Sequence, residues 1–275
     1  MELIRITPEN LGSEHICCAI SGNKKDIQVV SKKEWIAKCL DDGLVFLKGD
    51  VRGKCFIEYI PAENAWVPIE ADGYMFINCF WVSGQFKGQG NANILLEECI
   101  RDSKQKGRKG ICVISSAKKM PFLSDGKYLK YKGFKVADSA EPNFELMYLP
   151  FEDGERTAAD ESVEGSERTV ADKPAFAKCV KQSGSEREKI VGDGFVVYYT
   201  HQCPFTAKYV PILAEKAKEM GVKFECILLD SKQKARKCPA PVTTFALFYN
   251  GKYITNEILS AAKFEKMARE LEEAN

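Results

Sequence analysis

The chain has 275 residues, which is more than most single domains contain and predicts two domains. Apolar residues make up 45% and charged residues 29%, a globular composition that excludes global disorder. The net charge is only +1, which argues against a protein that binds mainly nucleic-acid phosphates. No apolar run reaches the roughly 20 residues of a membrane span, and the first residues lack a signal-peptide core. We therefore expect a cytoplasmic protein with neither membrane nor nucleic-acid partners.

The elements of the first half alternate between strand and helix signals. A capping box, Ser31 to Glu34, predicts the start of a helix, and residues 12–20 have the pattern of a short amphipathic segment. Residues 74–82 are almost continuously apolar, which is typical of a central strand. Further strands are predicted at residues 2–6, 44–48, 53–60, 110–115 and 144–149, and further helices at 91–106 and just before Gly133.

An acidic segment separates the two halves of the chain. Residues 152–173 contain eight acidic and three basic residues and no aromatic residue. Such a composition buries too little apolar surface to offset the entropy of ordering. We therefore predict a first domain at 1–151, a flexible linker at 152–175 and a second domain at 176–275. Within the last of these, residues 174–182 are predicted to dock as a short segment.

The second half has the predicted order β-α-β-β-β-α. Residues 195–199 and 222–228 are predicted strands, and Cys203-Pro204 opens a helix. Residues 243–255 contain a hairpin with Asn250-Gly251 at its turn, and a last helix follows. A short helix is also indicated near residues 231–237.

A glycine-rich turn joins the apolar strand 74–82 to the helix 91–106. Its sequence is Gln85-x-x-Gly88-x-Gly90. Glycines allow a tight turn whose backbone N–H groups point outward, and the helix N-terminus adds its positive dipole end. Lys87 supplies a further positive charge. The turn therefore favours binding of a phosphate group.

The motif and its setting resemble the GNAT acyltransferases over residues 1–150, including the Gly133-Phe134 pair after a short helix. This resemblance implies a mixed-sheet α/β acyltransferase fold with acetyl-CoA or CoA as co-substrate and no metal. It implies pantetheine contacts at the end of the strand, Phe80, Trp81 and Val82. It also implies pyrophosphate contacts from the turn, at Gln85, Phe86, Lys87, Gly88, Gln89, Gly90 and Asn91.

The same resemblance implies direct transfer to an amine, with a general base and a tyrosine that protonates the departing thiolate. The usual tyrosine position is Leu129 here, so Tyr128 and Tyr131 are the two alternatives. Glu70 is the first candidate for the general base, and Glu58 and Asp72 are the alternatives. Cys79 is a further alternative, as an acyl-carrying nucleophile.

The second half resembles the YoaP-like domain and, in its order of elements, the thioredoxin fold. That resemblance places Cys203 at a helix N-terminus, where the dipole is expected to lower the pKa of a thiol. Thr206 stands where a CxxC motif has its second cysteine, and Pro241 where the fold usually has a cis proline. His201 could tune the thiol, with Cys179 and Cys238 as candidate resolving partners.

The sequence contains 11 cysteines and only 2 histidines, without a CxxC pair. The odd cysteine count argues against a disulfide framework, and the spacing predicts no zinc site. We expect an acetyl-CoA-dependent N-acyltransferase that acts on a small-molecule or peptide amine, with a homodimer left open. Two alternatives remain: a thiol-redox or sensing protein that uses Cys203, and a binding module in a larger assembly.

Overall fold

A computed structural model describes residues 1–16, 18, 23, 25–151, 173–182 and 191–273. The strands of the first half are β1 (Leu3–Arg5), β2 (Val45–Gly49), β3 (Cys55–Pro61), β4 (Ile69–Glu70), β5 (Tyr74–Val82), β6 (Gly110–Ser116), β7 (Lys135–Ala140) and β8 (Phe144–Pro150). Its helices are α1 (Ile27–Leu40), α2 (Asn91–Gln105) and α3 (Gly126–Tyr131). Along the described ranges, none of the helices combines the length and apolar character needed to cross a bilayer.

Seven of these strands form one mixed sheet in the order β1-β2-β3-β5-β6-β8-β7. β5 and β6 are parallel, and the other neighbouring pairs are antiparallel. One face of the sheet packs against α2 and α3 through buried residues such as Leu95, Leu96 and Leu129. The edge strand β7 was not predicted, because its sequence KVADSA lacks a clear apolar alternation.

The start of α1 differs from the prediction. Asp26, not Ser31, caps the helix, and its side chain accepts a hydrogen bond from the backbone N–H of Gln28 at 3.0 Å. Ser31 lies inside the helix, where its hydroxyl donates to the Ile27 carbonyl at 2.7 Å. The described part of segment 12–20 has turns and a bridge at Ile16 rather than a helix.

The second half contains strands β9 (Ala175–Phe176), β10 (Phe195–Tyr199), β11 (Phe224–Leu228), β12 (Phe245–Tyr249) and β13 (Lys252–Thr255). Its described helices are α4 (Lys178–Lys181), α5 (Pro204–Met220), α6 (Lys232–Ala235) and α7 (Ala261–Glu273). The sheet order is β11-β10-β12-β13, with β10 and β11 parallel and the other pairs antiparallel. The predicted hairpin is confirmed, with positive φ at both Asn250 and Gly251.

The two halves share one hydrophobic core. Trp35, Phe46 and Phe144 of the first half belong to the same buried cluster as Val196 and Phe248 of the second. The helices α1 and α5 also pack against each other. The second half therefore covers the sheet face that α2 and α3 leave free.

The segment after the acidic stretch confirms the predicted docking. β9 pairs with β4 through Ile69 and Phe176, and Phe176 and Val180 are both buried. Of the predicted linker, residues 152–172 lie outside the described residues. The division into domains at 151 and 176 remains a prediction.

Candidate active site

The central feature is a gap between the two parallel strands. β5 and β6 pair only from Tyr74 to Ile77, although β5 continues to Val82 and β6 to Ser116. On its other side β5 stays paired with β3, and Asn78 is the extra residue of a β-bulge there. A bulge bends a strand and is frequent beside active sites. The bend leaves the backbone edge from Asn78 to Val82 facing the gap.

A cavity of about 900 Å³ lies at this gap and continues along the glycine-rich turn. Among the predicted CoA contacts it is lined by Phe80, Trp81, Val82, Phe86, Lys87, Gly88, Gly90 and Asn91. We call it the CoA groove. Gln85 and Gln89 do not line it. Instead, Gln89 Nε2 donates to the Gln85 carbonyl at 2.6 Å and braces the turn.

The turn ends in an open helix N-terminus. Gly88 and Gly90 have φ values of +74° and +77°, which side chains rarely adopt. Gly90 is the N-cap of α2, and no side chain caps the helix. Asn91 Nδ2 donates to the Phe86 carbonyl at 3.0 Å, which fixes the start of the helix. The first N–H groups of α2 are therefore available to an anion in the groove.

The structure separates the two tyrosine alternatives. Tyr128 lines the CoA groove, its ring lies 5.9 Å from that of Phe80, and its hydroxyl donates to Asn93 Oδ1 at 3.1 Å. Burial raises the pKa of Tyr128 to about 12, so the phenol keeps its proton. Tyr131 is 82% exposed and lines neither cavity, so the structure does not bring it to the groove.

A second cavity of about 170 Å³ lies on the sheet face that the second half covers. It meets the CoA groove at the gap, because Phe80, Trp81 and the segment 122–124 line both. We call it the interdomain cavity. Its walls come from the two halves, with Lys32, Lys54, Phe56, Glu58, Val67, Phe76 and Cys79 on one side and Gln202, Cys203, Phe205, Val242, Thr243 and Asn256 on the other.

A buried ion pair forms part of this cavity. Lys32 Nζ lies 2.5 Å from Glu58 Oε2, both side chains are at most 1% exposed, and the ammonium lies 4.4 Å from the Trp35 ring centroid. Burial raises the pKa of Glu58, although Lys32 and Asn78 oppose that shift. Its other oxygen, Oε1, has no hydrogen-bond partner among the described residues. Glu58 thus offers an unmet acceptor inside a cavity that reaches the gap.

The other candidate bases lie elsewhere. Glu70 is exposed on β4 before the start of β5, and it lines neither cavity. The gap begins at Asn78, four residues beyond the start of β5 at Tyr74, which is about 13 Å at roughly 3.3 Å per residue. The structure thus places Glu70 away from both cavities, whereas Glu58 lines the interdomain cavity. Asp72 is also exposed beside the start of β5.

Cys203 does not have the predicted activated thiol. It is the N-cap of α5, and the Phe205 N–H favours the thiolate, but burial outweighs this and raises the pKa of Cys203 to about 12. Cys238 is buried with a pKa raised to about 12 as well. The bond before Pro241 is trans, since the described residues contain a cis peptide only before Pro142. The thiol-redox alternative is thus not supported.

Several residues of the site carry no recognisable sequence signal. Lys32 reads as one of several surface lysines, and Gln202 and Asn256 as loop residues. They reach the site only because the second half packs on the sheet: Gln202 Nε2 donates to the Asn78 carbonyl, and Asn256 Nδ2 to the Pro121 carbonyl. Within the described ranges, no cluster of three or more metal-ligating side chains is arranged to hold an ion.

The chain is similar to one sequence family, to a curated protein and to several solved structures. The sequence model of the YoaP-like family matches residues 223–266. The chain is 43% identical, over 98% of both chains, to a Bacillus subtilis (strain 168) protein described as the uncharacterized N-acetyltransferase YoaP. Among solved structures it is similar to a ribosomal-protein-alanine N-acetyltransferase from Brucella melitensis (14% identity, 55% of this chain and 100% of that chain, TM-score 0.40). It is also similar to the PaiA N-acetyltransferase from Thermoplasma acidophilum (17% identity, 55% and 100%, TM-score 0.35).

The gap between two parallel strands, with a glycine turn that leads into a helix, defines a mixed-sheet acetyltransferase of the GNAT class. The resemblance inferred from residues 1–150 is confirmed. With 43% identity along nearly the whole chain, the protein belongs to the YoaP family of N-acetyltransferases.

Proposed function

We propose that the protein transfers the acetyl group of acetyl-CoA directly to the amine of a small-molecule or peptide acceptor that enters through the interdomain cavity. The observation that carries this proposal is the junction at Phe80, Trp81 and residues 122–124, where that cavity meets the CoA groove. A thioester in the groove and an amine in the cavity can meet there without crossing solvent. Placement of the two reactants side by side supplies a large part of the rate.

The turn and helix α2 are assigned to the phosphates of acetyl-CoA. The N–H groups that follow Gly88 and Gly90 lack a side-chain cap, and Lys87 adds a charge. The end of β5 from Phe80 to Val82, beyond its pairing with β6, is assigned to the amide groups of the pantetheine arm, as an added strand would pair. Phe80 and Trp81 supply its apolar contacts.

Glu58 is assigned as the general base. The incoming ammonium donates its proton to Oε1, the oxygen without a partner, while Lys32 holds Oε2. A carboxylate whose pKa is raised by burial is a stronger base, and the apolar cavity lowers the pKa of the ammonium. The free amine then attacks the thioester carbonyl carbon, and the carbon–sulfur bond breaks.

Tyr128 is assigned as the acid. Its hydroxyl lies in the CoA groove, and its raised pKa keeps the proton available for the departing thiolate. The thiolate of CoA becomes a thiol, and Tyr128 recovers its proton from the former amine nitrogen, which loses its second proton as the amide forms. Glu58 then releases the first proton to solvent. Asn93 orients the phenol through the hydrogen bond to its hydroxyl.

The second half is proposed to shape the acceptor side of the site. Its strand order and directions support the expected thioredoxin-like arrangement, although the trans bond before Pro241 departs from it. In this proposal the second half lines the acceptor cavity and carries out no redox chemistry.

The test is titration calorimetry with acetyl-CoA, followed by a screen of primary amines that monitors release of free CoA thiol. We expect micromolar binding of acetyl-CoA and turnover with at least one amine. Absence of binding at high micromolar acetyl-CoA would refute the proposal. The matched variant pair Tyr128→Phe and Tyr131→Phe then checks that turnover comes from this site.

A further inference from the structure

We propose that the acceptor carries an anionic group in addition to its amine, and that Lys54 recognises this group. The inference rests on the proposed function, because it places the amine at Glu58. The acceptor class is thus a compact amino acid-like molecule: an ammonium, a small apolar body and a carboxylate or phosphonate.

The first observation is the position of Lys54. It comes just before β3, two residues from Phe56 and four from Glu58, so the three side chains point to the same face. All three line the interdomain cavity. Lys54 Nζ lies 5.7 Å from the ring centroid of Phe205, which belongs to the second half. Lys54 is therefore half-buried between the two halves.

The second observation concerns charge. Among the described residues, Lys54 has no carboxylate partner, whereas Lys32 pairs with Glu58 and Lys48 with Glu14 at 2.8 Å. Glu58 Oε1 is in turn a buried acceptor without a hydrogen bond. The cavity thus contains a carboxylate oxygen of Glu58 without a hydrogen-bond donor. The backbone of Lys54, whose ammonium has no carboxylate partner among the described residues, lies about 13 Å from that of Glu58 along the strand. A ligand with both an ammonium and an anionic group satisfies both.

The third observation is the size and lining of the space between them. The cavity has a volume of about 170 Å³, and Phe56, Val67, Phe76 and Val242 make its walls apolar. A cavity of about 150 Å³ accommodates a benzene ring. The body that joins the amine to the anionic group is therefore one ring or a short branched chain. A bulky polypeptide segment does not fit inside.

The experiment compares matched acceptors that differ only in the acidic group. The pairs are 4-(aminomethyl)benzoate with benzylamine, and 5-aminopentanoate with pentylamine; 4-(aminomethyl)phenylphosphonate distinguishes phosphonate from carboxylate. Values of kcat/KM come from the release of CoA thiol. We expect at least one acid-bearing acceptor to be preferred over its plain amine by about tenfold or more, as for one charge-assisted contact.

The variants assign that preference to Lys54. Lys54→Met is expected to bring the ratio of kcat/KM between the acid and its plain amine close to one, and Lys54→Arg to keep the preference. The control Lys208→Met removes an exposed lysine whose ammonium lies 5.4 Å from the Tyr209 ring and is expected to change nothing. Folding of each variant is checked by thermal melting.

Other outcomes overturn the inference. Equal rates with the acid and the plain amine in both pairs would refute it while the proposed function stands. A Lys54→Met enzyme that loses both substrates equally, or whose KM rises for acetyl-CoA alone, would reassign Lys54 to the groove and refute the inference as well. Failure of every amine, despite acetyl-CoA binding, would refute the proposed function and this inference with it.

Discussion

Gln202 Nε2 donates a hydrogen bond of 3.0 Å to the backbone carbonyl of Asn78, and this contact joins the second half to the bulge of β5. Gln202 is only 6% exposed, and it lines the interdomain cavity. The bulge at the centre of the site therefore takes its orientation partly from a residue 124 positions later in the chain.

Gln202→Leu removes this donor and keeps most of the volume. We expect kcat/KM for the acceptor to fall about tenfold, since loss of a buried hydrogen bond costs about 1–3 kcal/mol, while the Kd for acetyl-CoA stays within about twofold. Steady-state kinetics and calorimetry provide the two values. Gln233→Leu, an exposed glutamine on α6, is the control. An equal loss of acetyl-CoA affinity would contradict the idea that Gln202 acts on the acceptor side.

Glu58→Gln is expected to remove the acidic limb of the pH–rate profile. Burial raises the pKa of Glu58, so its base form is lost at a higher pH than an ordinary carboxyl would require. In the native protein, kcat/KM therefore rises with pH through that raised pKa and then levels off. The variant is expected to be slower by about 10²-fold or more, with no such limb. An unchanged profile in Glu58→Gln would exclude Glu58 as the base.

Tyr128→Phe is expected to lower kcat and leave acetyl-CoA binding intact. The phenol donates a proton only after the acceptor attacks, so its loss removes about 10² in rate and little ground-state affinity. Tyr131→Phe changes an exposed side chain outside both cavities and is the matched control. Single-turnover measurements separate chemistry from product release. Equal rates for the two variants would show that solvent, and not Tyr128, protonates the thiolate.

The sequence predicts the CoA side of the site much better than the acceptor side. Gly88 and Gly90 stand in a local motif between a strand and a helix, and local geometry fixes what such a motif does. The acceptor side depends on contacts between residues that are far apart in the sequence. Examples are Lys32 with Glu58, and the hydroxyl of Thr243 with the Trp66 carbonyl at 2.6 Å. Contacts of this kind cannot be predicted from the spacing of residues in the sequence.

The differences from these predictions have the same physical origin. Cys203 is at the helix N-terminus that the prediction requires, but it is partly covered, and desolvation of its thiolate outweighs the helix dipole. Glu70 is close to the central strand in sequence, yet it lies at the end away from the gap. In both cases the sequence pattern correctly predicts the neighbouring helix or strand. The reactivity and position of the side chain depend instead on the residues packed around it.

Cys203 is expected to react slowly with iodoacetamide in the native protein. Its pKa of about 12 leaves roughly 10⁻⁴ of the thiol ionised at pH 8, whereas an ordinary cysteine is about one-quarter ionised. Peptide mapping by mass spectrometry gives the rate for each cysteine. Cys226, which is exposed on β11, serves as the internal reference and is expected to be modified first. Rapid labelling of Cys203 before Cys226 would restore the thiol-sensing alternative.

Gly88→Leu is expected to weaken acetyl-CoA binding by at least about tenfold, or 1.4 kcal/mol. A Cβ atom added at this position meets no other atom within 4 Å, so a leucine side chain there is expected to extend into the groove where the phosphates are expected. Gly107→Leu is the matched control, because Gly107 also has a positive φ of +64° and open surroundings but lies after α2, outside the groove.

Both leucines adopt a left-handed backbone, so both variants are expected to lose about 1–2 kcal/mol of unfolding free energy. Chemical denaturation measures this shared loss of stability, and calorimetry measures the difference in acetyl-CoA affinity between the two variants. Only Gly88→Leu is expected to lose affinity, because only there does the added side chain occupy the path of the ligand. Equal affinity in the two variants would show that the phosphates bind elsewhere than the turn from Gln85 to Asn91.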